Sequence, residues 1–234
     1  MTHDVLTYNN LTFELRESPR RTTLEIIVDR DGSLVLATPP DVPQADLTQF
    51  IEDKLVWIYT KLEEKAVQAH SYGRKEYVMG EGFYYLGRSY RLRLVEAEAQ
   101  QAPLRLYRGR FCLRRDAVPE ARAHFVHWYT VHLRPVLDQH LATLTERVGV
   151  RPNAVRVQDM GYRWGAADRR GHLYFHWRAA LLPRSMIAYV VAHELVHLRE
   201  RYHTEAFWAR LARVIPDYAE RRQWLADEGG RYDL

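Results

Sequence analysis

Cysteine is almost absent from this chain. Cys112 stands alone among 234 residues, which excludes an internal disulfide and any zinc site built from several cysteines. Lysine is scarce as well: Lys54, Lys61, Lys65 and Lys75 are the only ones, so nearly all the positive charge is arginine. No apolar run approaches the roughly 18 residues that a membrane-spanning helix requires. The opening MTHDVLTYNN has neither the basic start nor the apolar stretch of a secretory signal. Heptads, low-complexity tracts and internal repeats are not visible. There is no P-loop and no acidic cluster suited to magnesium. A cytoplasmic globular protein without a membrane partner is the expectation.

Apolar residues make up 47% of the chain and the formal charge is +4, so a sizeable core can form. Arginines gather modestly in RESPRR at 16–21 and LYRGRFCLRR at 106–115. A phosphate-binding face needs clustering of this kind; these stretches admit a nucleic-acid partner without indicating one.

Periodicity sets out the elements. LTFELRE alternates apolar and polar residues, and TLEIIVDRDGSLVLATP carries an Asp-Gly turn between β-rich runs. Pro39, Pro40 and Pro43 end that region. Asp46 is placed to cap a helix over about 47–70, with Leu47, Phe50, Ile51, Leu55, Ile58 and Leu62 at helical spacing. GEGFYYLGRSYRLRLVEA reads as a hairpin turning at Gly-Arg-Ser, and LRLYRGRFCLRR as one turning at Gly109. A long helix is expected from Pro119 to about 148, closed by a left-handed Gly149. Its His124, His127, His132 and His140 have no nearby carboxylate or cysteine to complete a metal site. Two strands follow, AVRVQDMGYRWG and GHLYFHWRA, joined by ADRRG. The expected class is α+β. A β-rich N-terminal module with a long helix spans 1–116, and a smaller domain spans 117–234.

The chemistry lies in VVAHELVHLRERYH, residues 190–203. His193 and His197 are four apart in a helix free of glycine and proline, so both imidazoles leave one face about a turn apart. That spacing lets two ring nitrogens reach one zinc ion, with Glu194 beside them and able to reach a water without binding the metal. A third protein ligand is needed, and His203 is the candidate. It lies ten residues past His193, so the helix must break between Leu198 and His203. Thr204 then caps the next helix, EAFWARLARV, which Pro216 ends.

These motifs resemble the YgjP-like zinc metallopeptidases, a group related to the SprT-like proteases. The residues that carry the resemblance are the early hairpin, Trp57 and Ile58, GEGFYYLGRSYRL, YRWG at 162–165, HWRAALLP, YVVAHELVHL, YHTEAFW and IPDY. The resemblance implies a zincin-like domain around the H-E-x-x-H helix, with one zinc ion per chain on His193, His197 and His203. It makes Glu194 the catalytic glutamate. Such proteins usually carry Ser-Cys where Ala166 and Ala167 stand, and Asn where His176 stands.

The implied activity is peptide-bond hydrolysis on a protein or peptide substrate, through zinc-assisted attack of water with Glu194 as the base. GHLYFHW is the strand expected to pair with an extended substrate. His176, Arg163 and Tyr218 are candidate donors to the oxyanion, and packing roles fit them equally. Trp164 is read as packed on the metal helix, with Gly165 in a tight turn. Phe207 and Trp208 are read as core residues fixing the turn that carries His203. Two other readings stand beside this one: a metal-dependent hydrolase of a nucleotide or other phosphoanhydride, with arginines clamping phosphates, and a DNA-associated adaptor or protease.

Overall fold

The computed structural model describes residues 5–19, 21–28, 33–71, 75–97, 102–161 and 163–234, with backbone only between residues 63 and 71. The chain divides into two compact units, Met1–Gly73 and Arg74–Leu234.

The first unit opens with a hairpin of β1 (Val5–Tyr8) and β2 (Leu11–Glu17). Asn9 takes the turn at φ 53, a left-handed conformation that asparagine visits more readily than most residues. β3 (Glu25–Val28) and β4 (Leu34–Thr38) are also antiparallel, and β2 runs parallel to β4, giving the order β1-β2-β4-β3. The Asp-Gly expected between them falls outside the described residues. Strand alternation turns Phe13, Ile26 and Leu36 to one face. There they meet Leu47, Ile51 and Ile58 of α1 (Gln44–Ser71). This helix begins at Gln44, so Asp46 lies inside its first turn and is not the cap. A carboxylate there still complements the helix dipole.

The second unit repeats that plan. β5 (Gly82–Tyr85), β6 (Arg88–Val95), β7 (Leu104–Tyr107) and β8 (Arg110–Arg114) form a sheet ordered β5-β6-β8-β7, with β6 parallel to β8. α2 (Ala121–Val148) follows and, like α1, has 28 residues. A spacing of 77 residues separates Leu11 from Arg88 and Gln44 from Ala121. A structural repeat is thus present where the sequence displays none. Its first turn is Leu86–Gly87, both left-handed at φ 50 and 79, as a two-residue hairpin demands. Arg88 and Ser89, expected in the turn, already belong to β6. The second turn is at Arg108–Gly109, as the sequence suggests.

Phe83 and Phe111 of this sheet stack and wedge against Phe125 of α2. The sheet therefore shares one core with α2 and all that follows. This common core moves the division of the chain to residue 73, away from the expected 116. α2 ends at Gly149, left-handed at φ 75, whose N–H donates to Thr145.

Beyond α2 lie β9 (Ala154–Gln158), β10 (Gly165–Ala167) and β11 (His172–His176), in a sheet ordered β10-β11-β9. β11 is antiparallel to β10 and parallel to β9. Paired on both sides, β11 has no edge to offer a substrate; β10 and β9 are the edge strands, and β10 is the one that lies beside Glu194. Three helices complete the unit: α3 (Arg184–His197), α4 (Glu205–Val214) and α5 (Tyr218–Glu228). The Leu86 and Gly87 N–H groups donate to Ala180 and Leu181, just ahead of α3. A Cβ on Gly87 would come within 2.9 Å of Pro183, so this turn seats the start of α3. Among the described residues no helix is long and apolar enough to cross a membrane.

Candidate metal centre

α3 is apolar enough to be buried on several sides, with Ile187, Val191, Leu195 and Val196 all in the core. Its apolar run stops at Leu198, and the polar RERY that follows has nothing to bury. The helix ends at His197, and the N–H groups of Arg199 and Glu200 close the turn on the Val196 carbonyl. The Thr204 hydroxyl accepts from the Phe207 N–H and starts α4. This break returns His203 to the other two histidines. The three Nε2 atoms lie 3.0–3.1 Å apart. Among the described residues this is the one group of histidines, cysteines or carboxylates close enough to hold a metal ion.

The chemistry of these donors fits a cation. Three imidazole nitrogens aimed at one point cannot all carry protons there. His197 Nδ1 lies 3.0 Å from the Glu200 carbonyl, an arrangement that puts the proton on Nδ1 and turns the Nε2 lone pair inward. Burial, then the neighbouring His197 and His203, pushes His193 down to about 3; burial also lowers His197 and His203. Neutral imidazole is the metal-binding form. Phe207, fully buried, touches all three rings with centroids 4.6–4.9 Å away. Trp208 stacks on His203, and Tyr218 stacks on Trp208. Tyr218 thus reaches the centre through Trp208, and it lines neither of the two cavities at this centre.

Glu194 is 6% exposed, and burial pushes its carboxyl up to about 8 against the lowering pull of Arg163. β10 presses on it directly. A Cβ on Gly165 would stand 2.7 Å from Glu194 Cγ and 2.9 Å from Oε1. Gly165 is therefore a strand residue that allows close approach, not a turn residue. Trp164 is half-buried and packs over Gly229. His176 is 1% exposed: its Nδ1 accepts from the Arg178 N–H, and its Nε2 lies 3.3 Å from Asp159. The structure places it in the core, away from the cavity. Of the three candidate donors, only Arg163 reaches the cavity walls.

Two cavities meet at this point. The larger, about 890 Å³, is lined by Arg151, Arg163, Arg169, Arg170, Arg199 and Arg201, against the carboxylates of Asp168 and Glu194 alone. Ala166 and Ala167 also line it. The smaller, about 360 Å³, is walled by Trp164, Tyr189, Val190, Leu225 and Ala226, with Arg222 at its side. Both include Arg163, Gly165, His193 and Glu194. This group of arginines is not visible along the sequence, because its members come from four separate segments. The two stretches that did stand out are largely consumed by ion pairs: Arg16 with Glu14, Arg21 with Glu25, Arg114 with Asp116 and Arg115 with Glu96. Tyr189, one turn before His193 and pushed up to about 12 by burial, also went unnoticed.

No curated protein matches the chain. Among solved structures, the metallopeptidase zymogen abylysin of Pyrococcus abyssi aligns at 19% identity over 40% of this chain and 95% of that one, with a TM-score of 0.37. That likeness is too distant to carry weight. The YgjP-like metallopeptidase domain, by contrast, matches residues 22–228. That span includes the histidine cluster, Glu194 and the edge strand beside it, and the chain belongs to the YgjP-like metallopeptidase family.

Proposed function

We propose that the chain is a zinc-dependent peptidase in which His193, His197 and His203 hold one zinc ion and Glu194 is the catalytic base. The observation that carries this is the convergence of three Nε2 atoms within 3.1 Å, with a buried carboxylate on the next residue of the same helix. Three neutral imidazoles with room for a further ligand suit zinc best among common metals. Zinc, when bound, supplies a Lewis acid that polarises the scissile carbonyl and acidifies water. Glu194 takes the proton from the attacking water and delivers it to the amine nitrogen as the C–N bond breaks. The free edge of β10 receives an extended substrate by strand addition, and Arg163, where the two cavities meet, is the donor for the oxyanion. In this reading the zincin-like part comprises α2, the β9–β11 sheet and α3 to α5. The expected partner is a protein or peptide, and a cytoplasmic location is in keeping with a single, buried cysteine.

The test is cleavage of an unfolded protein by the zinc-loaded chain, with and without DNA. Glu194→Gln should retain zinc and lose about 10²–10⁴-fold in rate. Equal rates for the variant would remove Glu194 from this role. One observation favours a second reading: arginines around a metal centre suit phosphates. Release of phosphate or pyrophosphate from a nucleoside triphosphate, without peptide cleavage, would establish it.

A further inference from the structure

The two cavities differ in chemistry, and Glu194 lies at their boundary. The larger presents Arg151, Arg169, Arg170 and Arg201, all exposed, and among the described residues none of the four is in an ion pair. The nearest carboxylate, Asp168, is committed to its own loop. It accepts from the backbone N–H groups of Arg170 and His172 and from the Tyr174 hydroxyl. The smaller cavity is mainly apolar, walled by Trp164, Tyr189, Val190, Leu225 and Ala226, with Arg163 shared between the two cavities and Arg222 at its side. A substrate lying across Glu194 therefore meets concentrated positive charge on one side and an apolar pocket on the other.

The edge strand supplies the direction. Trp164, just before β10, lines only the small cavity; Gly165 lines both; Ala166 and Ala167 line only the large one. β10 thus runs from the apolar side to the cationic side. Strands added to an edge pair antiparallel more often than parallel, so a substrate on β10 runs from the cationic cavity to the apolar pocket. We propose that the substrate is a peptide with acidic residues on the N-terminal side of the scissile bond and an apolar residue immediately on its C-terminal side. This inference rests on the peptidase reading above and adds the substrate class to it.

Four peptides of equal length test it: Asp/Glu before Leu at the cleavage point, Lys in place of the acids, Ser in place of the Leu, and the acidic and apolar halves exchanged. Two readouts are needed: kcat/KM for the zinc-loaded chain, and equilibrium binding to the zinc-loaded Glu194→Gln variant by fluorescence anisotropy, at two salt concentrations. The first peptide should exceed the Lys and exchanged peptides by about tenfold or more in both, since like charges facing each other are strongly unfavourable. It should exceed the Ser peptide as well, and the margin over Lys should shrink with salt. Arg169→Glu with Arg170→Glu should cut the acidic-to-lysine ratio about tenfold. Arg201→Glu, on a different segment, should do the same and guards against a local folding defect. Cleavage of all peptides at similar rates overturns the inference and leaves the peptidase intact. So does a preference for the exchanged peptide. No cleavage of any peptide, with hydrolysis of a nucleoside triphosphate, overturns both.

Discussion

The sheet β1–β4 with α1 and the sheet β5–β8 with α2 have the same strand order, the same single parallel pairing and helices of the same length. They differ in what covers the helix. α2 buries ten side chains, with Phe125 and Tyr129 toward the sheet and α3 packed against its other side. α1 buries Leu47, Ile51 and Ile58 among its described side chains, and leaves Val56 83% and Trp57 43% exposed. One scaffold is thus present twice, and only the second copy supports the helix that bears the histidines. The comparison teaches that the sheet and helix do not make the site; the second buried face of α2 does.

The largest test of this difference is a core truncation in each copy. Phe13→Ala and Phe111→Ala both remove a fully buried ring and should each cost about 3–5 kcal/mol. Segment-resolved hydrogen exchange should confine the first loss to residues before 73. The second should spread through Arg74–Leu234 and lower retention of the proposed zinc, because β8 and α3 belong to one cluster. Equal effects on zinc would break the comparison.

Next comes the contact between β10 and Glu194. Gly165→Ala would place a methyl group 2.7 Å from Glu194 Cγ. With Glu194 as the proposed base, this displacement should lower kcat about 10²-fold, while the content of the proposed zinc, read by atomic absorption, stays unchanged from the parent chain. The matching turns of the two copies give a smaller effect. Gly87→Ala forces a side chain to φ 79 against Pro183 and should cost about 1–2 kcal/mol or more. Asn9→Ala, at an exposed turn, should stay near 0.5 kcal/mol. Urea titrations of the two variants check the ratio. Smallest of all, Val56→Ser on the open side of α1 should change stability by no more than about 0.5 kcal/mol. A larger loss would mean that this face is covered.

Much of the site was legible because its signals are local. Four-residue spacing fixes where His193 and His197 point, and the end of the apolar run at Leu198 with the Thr204 cap fixes where the helix breaks. Both depend on residues within a turn or two. What was less legible concerns longer range. β11 is the strand nearest the metal helix in sequence and so the expected substrate strand, yet its pairing with both β10 and β9 puts it in the middle of the sheet. His176 is adjacent to the site in sequence, but its ring is buried, with Nδ1 accepting from the Arg178 N–H and Nε2 lying 3.3 Å from the Asp159 carboxylate. The repeat escaped notice because a core tolerates exchange of one apolar residue for another if pattern and volume persist. Leu36 and Phe111 fill matching places, opposite Leu15 and Leu92 of the strand that runs parallel, without looking alike.

The sequence by itself determined the elements, the helix that carries His193, Glu194 and His197, its break, and the return of His203. Each follows from periodicity, capping and the end of an apolar run, which act between neighbours along the chain. Only the tertiary structure decided that β10 is an edge strand, that Gly165 lies against Glu194, and that arginines from four segments surround one cavity. Those facts depend on which strands pair and which faces pack, and pairing is settled by contacts between residues far apart in the chain.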